Sequence, residues 1–317
     1  MAFGRISLSP SCAIDNHSRY GYHRHGSHWA SGQQADADVF EVKGASFEVE
    51  GRRILQPTDL SLEAGLVHGL IGHNGSGKST LVKLLAGQHS PSGGMVRFQG
   101  RELSRWGGRA FAREVAYLPQ RLPDTESLTG RELVALGRYP WHGLLRRLGD
   151  EDRHHIDRAM ALTQTEPFAE RMVDTLSGGE RQRVWLAMLL AQGSRFLILD
   201  EPLTALDIAH QVEMLALIRR LSHELGLGVV IVLHDINMAA HYCDQLIALR
   251  QGRLLAEGTP DAMMEEATLR DIYGIPMEVV PHPENGLPVA LVHYTRPEDA
   301  GRTSAQEPQT DRCAAGG

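Results

Sequence analysis

The stretch Gly72-His73-Asn74-Gly75-Ser76-Gly77-Lys78-Ser79-Thr80 has the spacing G-x-x-x-x-G-K-[ST], and it narrows the choice of fold more than any other part of the chain. Glycines at 72, 75 and 77 permit backbone conformations that a Cβ would penalise, so successive N–H groups can point at one anion. The apolar run Leu66-Val67-His68-Gly69-Leu70-Ile71 before the loop reads as a buried strand, and Thr80 to Ala86 behind it reads as a helix. A strand feeding a glycine loop into a helix N-terminus is a phosphate cradle. Lys78 is then placed to reach the β- and γ-phosphates of a nucleotide, with the Ser79 hydroxyl on Mg²⁺. The chain has three lysines against 29 arginines, so a lysine kept here points to a need for a compact ammonium rather than a planar fork.

Three further strand tips carry polar groups. Val115-Ala116-Tyr117-Leu118-Pro119 leads to Gln120, Phe196-Leu197-Ile198-Leu199 ends in Asp200-Glu201, and the β-branched run Val229 to Leu233 ends in His234-Asp235. In an open parallel sheet the carboxyl ends of the strands form the ligand-binding edge. Leu176-Ser177-Gly178-Gly179-Glu180 opens a helix whose first turn offers free N–H groups and a positive dipole end to an anion.

The remaining chain divides by pattern. Residues 1–38 hold Ser, Gly, Asn, Gln and His17, His23, His25 and His28 with little aliphatic periodicity, and they read as a disordered extension. Their histidines could instead collect metal, although the spacing is irregular. Folded structure is expected over 39–280. It begins with a small antiparallel strand set and contains a helical insertion at about 121–175, with helices at Thr129–Gly137 and Asp150–Gln164. One helix is expected over Asp261–Tyr273, followed by a mostly disordered tail at 281–317.

A net charge of −7 over 317 residues weighs against holding nucleic acid by phosphate neutralisation. No apolar run approaches the roughly 20 residues needed to span a bilayer. Three widely spaced cysteines fit a reducing compartment and give no metal or disulfide framework. A cytoplasmic α/β protein is the expectation.

These motifs, in this order, resemble those of the ATP-binding cassette ATPases over roughly 39–280: the loop at 72–80, Gln120, Leu176–Glu180, Asp200-Glu201, Ala205-Leu206-Asp207 and His234. The segments Gly137-Arg138-Tyr139-Pro140-Trp141-His142-Gly143 and Leu206-Asp207-Ile208-Ala209-His210-Gln211 are similar to those of iron-siderophore and vitamin B12 importer ATPases, most of all the ferric hydroxamate importers. The resemblance implies a P-loop NTPase core with a small antiparallel β subdomain and an inserted α-helical subdomain. It also implies an ATPase that uses ATP and Mg²⁺. Gly72 to Thr80 would hold the phosphates, while Ser79, Asp200 and Gln120 would hold the metal. Glu201 would act as general base, with His234 on the γ-phosphate and Gln120 sensing metal and water. Ser177, Gly178, Gly179 and Asp207 would complete the site of a second copy of the chain.

The implied partners are that second copy, a separate membrane permease and, through it, a substrate-binding protein; no nucleic acid is expected. The implied place is the cytoplasmic face of the inner membrane. Haem, ferric citrate or cobalamin stand as alternative cargoes, and a DNA-repair or chromosome-organising cassette as an alternative class. Such importers stack adenine on an aromatic residue where this chain has Val49, with Phe47 as a possible substitute. Tyr139 and Trp141 are either permease contacts or subdomain core. His210, His223 and His241 read as helix-surface or packing residues.

Overall fold

The computed structural model describes residues 39–125, 127–142, 147–204 and 206–293, so the N-terminal extension, Ala205 and Gly143 lie outside the described residues. Strands β1 (Val39–Val49) and β2 (Arg52–Glu63) form a long hairpin before β3 (Val67–Ile71) and α1 (Lys78–Leu85). Next come β4 (Gly93–Phe98), β5 (Arg101–Glu102), α2 (Gly108–Glu114) and β6 (Val115–Leu118). The helical insertion holds α3 (Gly130–Leu136), α4 (Tyr139–His142) and α5 (Asp150–Thr163), and leads into α6 (Gly178–Ala191). Then β7 (Phe196–Leu199), α7 (Ile208–Leu225), β8 (Gly228–Val232) and α8 (Ile236–Tyr242) complete the α/β core. The chain continues through β9 (Gln245–Arg250), β10 (Arg253–Gly258), α9 (Pro260–Met263), α10 (Glu266–Tyr273), β11 (Met277–Pro281) and β12 (Pro288–Val292).

One sheet has the order β2-β1-β4-β5, and the larger has β10-β9-β3-β8-β7-β6. Strands β9, β3, β8, β7 and β6 run parallel, with β10 antiparallel at the edge. Because the central strands are covered on both faces, they read as continuous apolar runs. Alternate residues nevertheless serve two cores. Leu197, Leu199, Val229 and Ile231 face the helices of one side, whereas Phe196, Ile198, Val230 and Val232 pack with α1 and the antiparallel sheet. Phe196 meets Phe40 and Phe98 edge-on at centroid distances of 5.1 and 5.7 Å, joining the two sheets.

The helical insertion packs on α6 through Leu133, Val134, Ile156, Met160 and Val184, all buried. Thr129 opens α3 with a capping box, in which its hydroxyl accepts from Glu132 N and Glu132 reaches back to Thr129 N. Arg138 is buried at the joint, where it donates to Asp152 at 2.9 Å and to the carbonyl of Ala191 at 2.9 Å.

Two expectations need correction. The helix expected over Asp261–Tyr273 is two, α9 and α10, parted by Met264 and Glu265 in non-helical backbone. The tail expected from 281 onward is ordered through Val292, because β11 and β12 pair as an antiparallel hairpin with Met277 and Ala290 buried. Asn237 of α8 fastens that hairpin. Its amide donates to the Ala290 carbonyl at 3.0 Å and its carbonyl accepts from Ala290 N at 2.7 Å.

Candidate nucleotide site

The parallel order β3-β8-β7-β6 sets four strand tips side by side at one edge, and these are the tips that carry the glycine loop, His234, Asp200-Glu201 and Gln120. After β3 the chain turns at Gly72 with φ 133°, and a Cβ there would lie 2.2 Å from the carbonyl oxygen of Leu249. Only glycine fits that approach. The loop is closed from outside by Gly252 N donating to the carbonyl of Ser76 at 2.9 Å, and Gly77 in left-handed backbone opens α1.

Lys78 is 4% exposed and its ammonium curls back to donate to the carbonyls of Gly72 at 2.7 Å and His73 at 3.1 Å. Burial pulls its pKa below the ordinary lysine value, and the charges of Glu201 and Asp200 partly restore it. Ser79 Oγ donates to Asp200 Oδ1 at 3.2 Å. Burial pushes the Asp200 carboxyl above the usual range. Burial first, and then the charge of Asp200, raise the nearby Tyr117 phenol to about 12. A hydroxyl beside a carboxylate is the hard-oxygen donor pair that suits Mg²⁺, an ion held through one or two carboxylates plus phosphate oxygens.

Glu201 sits in left-handed backbone at φ 52°, a conformation that costs a non-glycine residue free energy and clusters at functional sites. Its carboxylate is held from both sides. Gln120 Nε2 donates to Oε2 at 2.6 Å, and His234 Nε2 lies 3.0 Å from Oε1. Thr204, which the sequence reading passed over, donates its hydroxyl to the Glu201 carbonyl at 3.0 Å and so steadies the turn. Its sequence signal was its place three residues after the acidic pair, where a hydroxyl can bond back to the turn.

The structure thus brings together Lys78, Ser79, Gln120, Asp200, Glu201 and His234. Ser177 and Asp207 are occupied elsewhere. Ser177 caps α6, accepting from Glu180 N at 3.3 Å while Glu180 accepts from Ser177 N at 2.8 Å. Those bonds, the Ser177 backbone bond first, hold the Glu180 carboxyl below its usual range. Asp207 caps α7 by accepting from His210 N at 2.9 Å. Gly178 and Gly179 form the first turn of α6, where backbone N–H groups have no acceptor within the helix.

The adenine expectation divides between two positions. Phe47 is half-buried and its ring stacks on His89 at 4.9 Å and 13°, whereas Val49 is 47% exposed beside the Glu50-Gly51 turn.

A glycine loop, paired carboxylates and a histidine on one parallel-sheet edge, flanked by an antiparallel sheet and a helical insertion, make up an ATP-hydrolysing nucleotide-binding cassette. Comparison with known proteins agrees. The ABC transporter family matches residues 55–204. The chain is 41% identical to the achromobactin transport ATP-binding protein of Dickeya dadantii, over 75% of this chain and 88% of that one. It is 40% identical to the iron(3+)-hydroxamate import ATP-binding protein of Bacillus subtilis, over 76% and 90% respectively. The dimeric structure of MJ0796, a bacterial ABC transporter cassette, superposes with a TM-score of 0.61 at 25% identity, over 70% of this chain and 98% of that one. The chain belongs to the ABC transporter family, and within it to the ATP-binding subunits of iron-siderophore importers.

Proposed function

We propose that this chain hydrolyses ATP to drive uptake of a ferric siderophore, most specifically a ferric hydroxamate, through a separate membrane permease. The observation that carries the chemistry is the Glu201 carboxylate held between Gln120 and His234, beside the Ser79–Asp200 pair and Lys78. Glu201 accepts a proton from the attacking water as the new P–O bond forms at the γ-phosphate and the bond to the β-phosphate oxygen breaks, giving ADP and phosphate. Phosphoryl transfer leaves little covalent work to the protein, so positioning and charge stabilisation dominate. Lys78 and the loop N–H groups hold the phosphates, His234 contacts the γ-phosphate, and Gln120 fixes the carboxylate and links the core to the helical insertion. Mg²⁺, held by Ser79 and Asp200, supplies charge neutralisation on the phosphates.

Ser177, Gly178, Gly179 and Asp207 act on the nucleotide of a second copy; Ser177 and Asp207 bond here within the first turns of their own helices. The dimeric relative supports that arrangement. No helix among the described residues is long and apolar enough to cross a membrane, which fits a subunit at the cytoplasmic face of the inner membrane working on a separate permease and its substrate-binding protein. The test is iron uptake in cells lacking this chain, complemented with the unsubstituted protein or Lys78→Ala. Restored uptake of radioiron as a hydroxamate complex by the first alone supports the reading. Restoration of haem uptake only would reassign the cargo.

A further inference from the structure

His210 lies in the first turn of α7, where its ring stands between the Asp207 turn and the start of α6. Nδ1 is 2.7 Å from Asp207 Oδ1; since the carboxylate can only accept, Nδ1 carries the proton. The opposite edge of the ring lies against Gly179 in the first turn of α6. A Cβ built on Gly179 would stand 2.5 Å from the His210 ring, so glycine is what admits the imidazole there. One turn further along both helices, Arg183 of α6 pairs with Glu213 of α7 at 2.6 Å. The starts of α6 and α7 are therefore tied at two successive levels.

We propose that His210 is a positioning residue that locks the Asp207 turn to the Ser177–Gly179 turn, so that both meet the partner subunit as one face. The inference rests on the two-subunit reading above. Without the imidazole, Asp207 keeps its capping bond from the backbone N of residue 210, so α7 remains closed at its start. What is lost is the fixed spacing between the carboxylate and the glycines. The ordering of two turns is then required at each dimerisation, and weakens it.

The test uses the full chain with Glu201→Gln to slow hydrolysis, and reads the ATP concentration giving half-maximal dimer by light scattering after size exclusion. ADP affinity, which reports the phosphate loop alone, and thermal melting are measured alongside. His210→Ala is expected to raise the half-maximal ATP concentration by about fivefold, the magnitude of one lost hydrogen bond, with ADP affinity and melting unchanged. His210→Asn, which restores a donor near the Nδ1 position, is expected to return to within about twofold of the parent. Equal dimerisation of His210→Ala and the parent overturns the inference, as does failure of the Asn variant to rescue. A parent that stays monomeric at saturating ATP overturns the two-subunit reading, and this inference with it.

Discussion

The Gln120 side-chain amide donates to the Glu201 carboxylate at 2.6 Å, joining the tip of β6 to the tip of β7. The bond occupies one carboxylate oxygen while His234 faces the other, so the carboxylate is held from two strand tips. Glu201→Gln keeps the shape and removes the proton acceptor. Hydrolysis should fall by about 10²–10⁴, the range for a general base, while ATP binding persists. Turnover at the unsubstituted rate in a phosphate-release assay would remove Glu201 from its role.

On the proposed reading, Val49 at the tip of the β1–β2 hairpin would leave an adenine ring without an aromatic partner, and Phe47 is already stacked on His89. Val49→Tyr should therefore tighten ATP binding by about 1 kcal/mol, the value of an added ring contact. Phe47→Ala should leave nucleotide affinity unchanged. Calorimetry in a non-hydrolysing background separates the two, and an unaltered affinity in Val49→Tyr would mean the base binds elsewhere.

Tyr139 and Trp141, equivalent in sequence as candidates for a permease contact, part company in the fold. Trp141 Nε1 donates to the Gln192 carbonyl at 2.7 Å, and its ring lies near the guanidinium groups of Arg113 and Arg138 at 4.9 and 5.0 Å. Tyr139 is 40% exposed, with the Arg109 guanidinium 5.8 Å from its ring centre. Trp141→Ala should cost about 2–4 kcal/mol of stability, and Tyr139→Ala no more than about 1. Tyr139→Ala should spare basal hydrolysis and reduce stimulation by the permease. A large fall in melting temperature for Tyr139→Ala would place it in the core as well.

His68, on β3, is buried with Nε2 donating to the Glu63 carbonyl at 2.9 Å. Burial holds its pKa below 6.5, against weaker upward pulls from Glu63 and Asp244. The unfolded chain therefore binds a proton near pH 6.5 that the folded chain refuses. Stability is fully present above that value and is lost as pH falls through it toward the folded pKa, with a slope of at most about 1.4 kcal/mol per pH unit. His68→Gln can keep the bond to Glu63 without titrating. Denaturant midpoints taken from pH 8 to pH 5.5 should fall less steeply in the variant than in the parent, and parallel slopes would count against the assignment.

Much of the site was legible because its chemistry needs local spacing. The glycines of 72–77 announce their own backbone, and β7 and β8 read as buried strands because they are apolar without interruption. The contacts Gln120–Glu201 and Glu201–His234 were not legible as contacts, since they span 81 and 33 residues and depend on β8 lying between β3 and β7. Helix α2 was missed because Gly107 and Gly108 suggest a turn. Its packing shows what the helix is for: Phe111 lies edge-on against Phe98 at 6.3 Å, and Arg113 reaches across to α4. The β11–β12 hairpin was missed for a similar reason: Pro281, Pro288 and Asn285-Gly286 resemble loop chemistry, and the pairing becomes evident only with α8 beside it.

That hairpin supplies the last test. Asn237 presents both halves of its amide to Ala290, which is 5% exposed, and so ties β12 to the helix that begins just after His234. Asn237→Ala leaves an N–H and a C=O unpaired in a place that water reaches poorly, a cost of about 1–3 kcal/mol. Asn237→Asp keeps the acceptor for Ala290 N but loses the donor, so its effect should be intermediate. The expected readout is faster amide exchange across 277–292 in Asn237→Ala, with β3 and β8 still protected. If exchange in the hairpin stays at the parent rate, Met277 and Ala290 packing holds it without Asn237. If β8 loses protection together with the hairpin, the two open as one cooperative unit and the anchor reaches further into the core than its two bonds.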